Sequence, residues 1–232
     1  MEVLSQDEIE QLLRALNAGD TEPEDFRPSA DSRKISIYDF ARPSRLLNIH
    51  KEKLTEVFNS FSHNLANNLI EKLSLPVQIK VASADELTYD ELICSIPNST
   101  TLVTVSMPPL KGNMLFELTD EITYAIIYRI RQKNGITKKI KSLQELYDYA
   151  NPIIEKTIVD ILGLLKKAWA EIIALQPELV KIVTDPQSVR LISPSDMIVV
   201  VTMNIKIEEI ESIINFGMPY AVFKQVRDKL AG

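Results

Sequence analysis

Residues 49–73, IHKEKLTEVFNSFSHNLANNLIEKL, set Leu54, Phe58, Phe61, Leu65 and Leu69 at the spacing of one apolar helix face, and Pro76 marks the exit. Short β-like runs follow at Val77–Val81, Thr100–Met107 and Met114–Leu118, and Asp120–Arg131 returns to helical spacing. The same succession then starts again. Leu143–Ile173 is a long helical stretch carrying Ile153, Ile154, Ile158, Ile161, Leu162, Leu165 and Trp169, with Pro152 expected to kink or divide it. Strand-like runs return at Leu179–Val183, Met197–Ile207 and Glu211–Gly217, and a last helix is expected over Pro219–Leu230. Each half reads helix, short strand, two longer strands, helix. The predicted fold class is therefore α/β: a pseudo-twofold domain with one central, mostly antiparallel sheet covered by helices.

Outward from this body, composition narrows the function. The chain has 232 residues, of which 45% are apolar and 25% charged, enough to fill a core in a soluble protein. A net charge of −6 and a pI near 5.1 argue against a nucleic-acid backbone or an anionic membrane as main partner. No apolar run approaches the roughly 20 residues of a membrane span, so no membrane insertion is expected. The N-terminus lacks the basic flank and apolar stretch of a secretory signal, which points to the cytosol. A single cysteine, Cys94, excludes an internal disulfide and fits a reducing compartment.

The sequence before the body divides in two. Residues 19–34, GDTEPEDFRPSADSRK, hold almost nothing apolar and read as a flexible acidic linker. Residues 1–18 read as a helix of their own. Ser5 and Glu8 form a capping box, and Leu4 and Ile9 flank it as a hydrophobic staple. Asp7, Glu8 and Glu10 place negative charge in the first turn, where the helix dipole favours it. Ile9, Leu12, Leu13 and Leu16 then line one face, and Gly19 is placed to end the helix. A helix this short is marginal alone in water. On a polar leash longer than a connection needs, it reads as a ligand for a groove on another protein. The body is expected from residue 35 to 232.

Catalytic and cofactor chemistry finds little footing. His50 and His63 are the only histidines, in no arrangement resembling a closed metal site. Neither G-x-x-x-x-G-K-[ST] nor G-x-G-x-x-G occurs among six glycines, and no G-x-S-x-G or Cys/His pair marks a nucleophile. No catalytic residue, cofactor or metal is expected. Tyr124, Tyr128, Tyr147 and Tyr149 read as half-buried helix surface, and the basic run Lys133–Lys141 as a solvated loop or a contact for an acidic neighbour.

Four ordered stretches carry a resemblance. They are Leu4-Ser5-Gln6-Asp7-Glu8-Ile9-Glu10-Gln11-Leu12-Leu13, Ile37-Tyr38-Asp39-Phe40-Ala41-Arg42-Pro43-Ser44, Glu86-Leu87-Thr88-Tyr89-Asp90-Glu91-Leu92, and Asp185-Pro186-Gln187 with Ile192-Ser193-Pro194-Ser195-Asp196-Met197. In order and spacing they resemble the flagellar motor switch protein FliM family over nearly the whole chain. The resemblance implies a pseudo-twofold α-β-α fold of the CheC and FliM-middle-domain kind, without enzymatic activity. It implies that Leu4, Ser5, Gln6, Asp7, Glu8, Ile9, Leu12, Leu13 and Leu16 bind the phosphorylated response regulator CheY. It further implies that the body stands beside copies of itself in a ring and contacts FliG, in the cytoplasm at the flagellar basal body on the inner face of the cell membrane. The family's FliG-contacting loop is a glycine-rich G-G-x-G turn. Here Gln132, Lys133, Asn134 and Gly135 stand in its place, and only Gly135 matches. The family also continues into a C-terminal domain related to FliN, whereas this chain stops at Gly232, so ring contacts of the FliN type are expected to be missing. The related CheC-type phosphatases use an E-x-x-N pair on a helix to dephosphorylate CheY. Glu56-Val57-Phe58-Asn59 has that spacing, with Thr157–Asp160 the nearest position in the second half and lacking it. That is the alternative function.

Overall fold

A computed structural model of the chain describes residues 46–135 and 143–230, all within one compact unit, Ser44–Gly232. The first long helix, α1 (Asn48–Leu73), buries Leu54, Val57, Phe58, Phe61, Leu65, Leu69 and Leu73, the stripe that its sequence period requires. Strand β1 (Val77–Thr88) follows, then α2 (Tyr89–Ser95), β2 (Thr100–Ser106), β3 (Asn113–Thr119) and α3 (Asp120–Lys133). The second half runs α4 (Leu143–Trp169), β4 (Glu178–Val183), a single 3₁₀ turn at Pro186–Ser188, β5 (Met197–Ile207) and β6 (Ile210–Pro219). Two short helices close it, α5 (Tyr220–Phe223) and α6 (Arg227–Leu230).

The six strands form one sheet in the order β1-β5-β6-β3-β2-β4, antiparallel at every pairing. Exchanging β1 with β4, β2 with β5 and β3 with β6 reverses that order onto itself. The pseudo-twofold axis inferred from the repeated sequence pattern thus passes between β3 and β6. The large core lies between one sheet face and α1, α3, α4, α5 and α6, with Phe58, Phe61, Phe116, Phe216, Phe223 and Trp169 fully buried in it. The opposite face carries a second, smaller core among the described residues. There α2 and the residues after β4 enclose Tyr89, Leu92, Ile93, Ile96, Leu102, Leu115, Ile198 and Val200. Tyr89 fastens that cover: its hydroxyl donates to the Val189 carbonyl at 3.0 Å and accepts from the Leu191 amide at 3.3 Å.

A polar row crosses the sheet over the pseudo-axis. Thr202 donates to Asn215 Oδ1 at 2.7 Å, and Asn215 Nδ2 donates to Glu117 Oε2 at 2.6 Å. Thr100 donates to Glu117 Oε1 at 3.2 Å. Glu117 is 1% exposed, and burial raises its carboxyl above the ordinary range, against the pull of the Asn215 and Thr100 hydrogen bonds.

Four elements differ from their sequence reading. Strand β1 is twelve residues rather than a short run ending at Val81, because the register shifts between Val81 and Ser83. The resulting bulge turns Ala84 to the core and breaks the alternation that marks a strand. Helix α4 passes Pro152 as one element and ends at Trp169 instead of Ile173. A proline inside a helix costs about 3 kcal/mol, which the burial of Ile154, Ile158, Ile161, Leu162, Leu165 and Trp169 beyond it outweighs. Helix α2 had no counterpart in the reading. The last helix is split in two where Gln225 exchanges paired 2.9 Å hydrogen bonds with the Lys111 backbone.

Candidate functional site

The C-terminal end of α3 places the turn Gln132–Gly135. Four basic or amide side chains, Arg129, Arg131, Gln132 and Lys133, crowd the last helical turn, where cations suit the negative end of the helix dipole. Arg131 points inward and is 4% exposed, whereas Gln132, Lys133, Asn134 and Gly135 are all exposed. The turn closes on its own backbone: Asn134 N–H donates to the carbonyls of Ile130 at 3.2 Å and Arg131 at 3.1 Å, and Gly135 N–H to that of Gln132 at 3.0 Å. Gly135 has φ +76°, a left-handed conformation that glycine adopts without a Cβ penalty, and the space around it is open. One glycine therefore suffices to end the helix.

The turn is fastened from the side. Lys133 Nζ donates to the carbonyls of Lys72 at 2.8 Å and Glu71 at 3.4 Å and to Ser74 Oγ at 2.7 Å. Arg129 Nε donates to the Leu73 carbonyl at 3.3 Å, and its guanidinium also reaches Gln132 Oε1 at 3.3 Å. Ser74 N–H donates to Ile70 O at 2.8 Å. A helix leaves its last four carbonyls without intrahelical donors. At the end of α1 these are Ile70, Glu71, Lys72 and Leu73, and each is satisfied, three of them by α3. From the same turn of α1, Lys72 pairs with Asp160 of α4 at 2.6 Å.

The other end of α3 is held through the core. Thr123 and Thr101 share a 2.8 Å hydroxyl hydrogen bond, and the Tyr147 hydroxyl of α4 donates to Thr101 at 2.9 Å. Burial pushes the Tyr147 phenol up to about 12, so it stays a protonated donor. Tyr124 and Tyr128 stack at 5.5 Å on the half-exposed side of α3.

The remaining sequence candidates separate. Leu4, Ser5, Gln6, Asp7, Glu8, Ile9, Leu12, Leu13 and Leu16 lie outside the described residues, as do residues 136–141 of the basic run. Glu56 and Asn59 are both exposed on α1, and Glu56 accepts from Lys53 Nζ at 2.7 Å. In the second half, Thr157 is 6% exposed and bonded to the Ile153 carbonyl, and Asp160 is engaged by Lys72. No second acid–amide pair therefore stands at the symmetric place. His50 is buried edge-on to Phe223 at 5.6 Å, where burial lowers its pKa, and exposed His63 meets Asn67. Among the described residues no group of three His, Cys, Asp or Glu comes together to hold a metal ion, and no helix is long and apolar enough to cross a membrane.

Sequence reasoning named the turn but missed what holds it: Arg129, Ser74, Lys72 and Asp160. One signal was available. The α1 period stops at Leu73 with no glycine before Pro76, so the helix end needed donors from elsewhere.

Comparison with known proteins identifies the family and the fold. The family model for flagellar motor switch protein FliM matches residues 50–232. The flagellar motor switch protein FliM of Treponema pallidum is 40% identical over 230 residues, covering 99% of this chain, and the chain spans 66% of that relative's length. The crystal structure of the FliM middle domain from H. pylori superposes with a TM-score of 0.70 at 18% identity, covering 79% of this chain and 99% of that one. A FliG–FliM complex from H. pylori gives a TM-score of 0.66 at 20% identity, with 76% and 96% covered. These two structures share the six-stranded fold. Matched from the first turn of α1 to its last residue and folded as FliM middle domains are, the chain belongs to the FliM family of flagellar motor switch proteins.

Proposed function

We propose that the chain is a rotor subunit of the flagellar switch complex, in which residues 1–18 dock phosphorylated CheY, residues 19–34 tether them, and the body from residue 35 passes the event to FliG. Copies of the body stand side by side in a ring in the cytoplasm, at the basal body on the inner face of the membrane, and the chain acts by binding, not by catalysis. The observation that carries the FliG contact is the exposed, backbone-closed turn Gln132–Gly135, at the place of the family's FliG-contacting loop. A family relative has been crystallised with FliG, which supports the same partner here. For CheY the support is the capped, one-faced helix pattern from Leu4 to Leu16. Tethering that helix to a ring raises its local concentration toward the millimolar range, so modest intrinsic affinity suffices.

The FliG contact is tested by titrating FliG into the full chain and into Gly135→Val. A β-branched residue at φ +76° is strained, so the turn must change shape while the fold persists. The reading expects binding to wild type and a loss of about 1–2 kcal/mol or more for the variant. Equal binding to both removes the turn from the contact.

A further inference from the structure

We propose that Lys133 is a positioning residue that fastens the Gln132–Gly135 turn to the C-terminus of α1, so that a protein seated on the turn bears directly on the α1–α4 helix pair. The inference rests on the reading of the turn as a FliG-binding surface.

Lys133 belongs to an exposed turn, yet its three donors are spent on three oxygens at the end of another helix: the Lys72 and Glu71 carbonyls and Oγ of the capping Ser74. Ser74 itself sits at φ +55°, a left-handed backbone that glycine or asparagine usually takes at a helix end. The serine hydroxyl gives Lys133 an acceptor that glycine would lack. With Arg129 on Leu73 O, three of the four terminal carbonyls of α1 take their donors from α3, and only Ile70 O takes a local one, the Ser74 N–H. The chemistry of the turn changes accordingly. A partner meets the Gln132 amide, oriented by Arg129, and the backbone of Asn134 and Gly135 rather than a free lysine cation.

The fastening also defines a direction of transmission. Displacing the turn pulls on the carbonyls of residues 71 and 72, and Lys72 carries the load to Asp160 in the second half of the pseudo-twofold. The route consists of contiguous polar contacts between rigid helices, the kind of element through which two sites couple.

The test compares the full chain with Lys133→Met, which keeps the stem and loses the cation, and Lys133→Arg, which keeps the charge. Amide hydrogen exchange is followed in peptides covering 70–76 and 197–207, with and without FliG. Without FliG, Lys133→Met should speed exchange over 70–76 by about tenfold while 197–207 is unchanged, as expected when charge-assisted hydrogen bonds to a helix end are lost. Lys133→Arg should largely restore it. With FliG, exchange over 70–76 should slow in wild type and not in Lys133→Met. Unchanged exchange over 70–76 in Lys133→Met overturns the proposal, as does equal slowing by FliG in both proteins. If FliG does not bind wild type, the functional reading falls, and the comparison without FliG alone decides the fastening.

Discussion

Glu117 sits at the centre of the sheet with two hydrogen-bond donors and, among the described residues, no salt-bridge partner, and burial raises its carboxyl above the usual 4.5. A carboxyl raised in the folded state binds a proton that the unfolded chain has already released. Its contribution to stability is therefore full below pH 4.5 and is lost as pH rises through the folded pKa. Glu117→Gln keeps an acceptor for Asn215 and removes that loss. Thermal melts should show the variant above wild type in Tm at neutral pH and the two converging below pH 4.5; a gap that widens in acid would contradict the assignment. No sequence signal pointed to this residue. In a β-run such as NMLFELT a single glutamate reads as a solvent-facing position, and only the cross-strand register brings Asn215 and Thr100 to it. Phe58 and Leu65 were legible because a helical period needs no partner to be recognised.

At the scale of elements, the long helices could be read from periodicity, since each buries one continuous face, and β5 from its unbroken apolar run, which reaches both cores. Helix α2 could not, because seven residues span barely two turns. Its signature was nonetheless present in Thr88-Tyr89-Asp90-Glu91. The Thr88 hydroxyl accepts from Glu91 N–H at 3.2 Å, and Glu91 Oε2 accepts from Thr88 N–H at 2.7 Å. Thr88→Ala should cost about 1 kcal/mol, a fall of about 2–4 °C in Tm for a domain of this size, because α2 covers the smaller core. Unchanged melting would mean that Leu92 and Ile93 hold α2 without the cap. The E-x-x-N pair was legible as spacing only. Asn59 stands exposed on α1 beside an acid already paired to Lys53, so Asn59→Ala should leave the decay of phosphorylated CheY unchanged. A slower decay with the variant than with wild type would restore the phosphatase reading.

For the whole molecule, the repeated order of elements was enough to infer a pseudo-twofold, and the observed strand order carries that symmetry. The strand order itself lay beyond reach, because sequence patterns encode faces and not neighbours. The same asymmetry applies to the site. The turn was located by its resemblance to the family, while its attachment to α1 depends on two segments some sixty residues apart meeting at a helix end. We propose that the body presents the Gln132–Gly135 turn to a partner from the helices that hold it, and that the N-terminal segment docks in a groove as an acidic helix. The most direct test of that account is the affinity of the full chain for CheY, phosphorylated and unphosphorylated, measured for wild type and for Ile9→Ala with Leu13→Ala. The account predicts tighter binding to phosphorylated CheY and a loss of at least about 2 kcal/mol in the double variant, as for truncating two buried anchors. Equal binding to both forms of CheY, or full binding by the double variant, would contradict it.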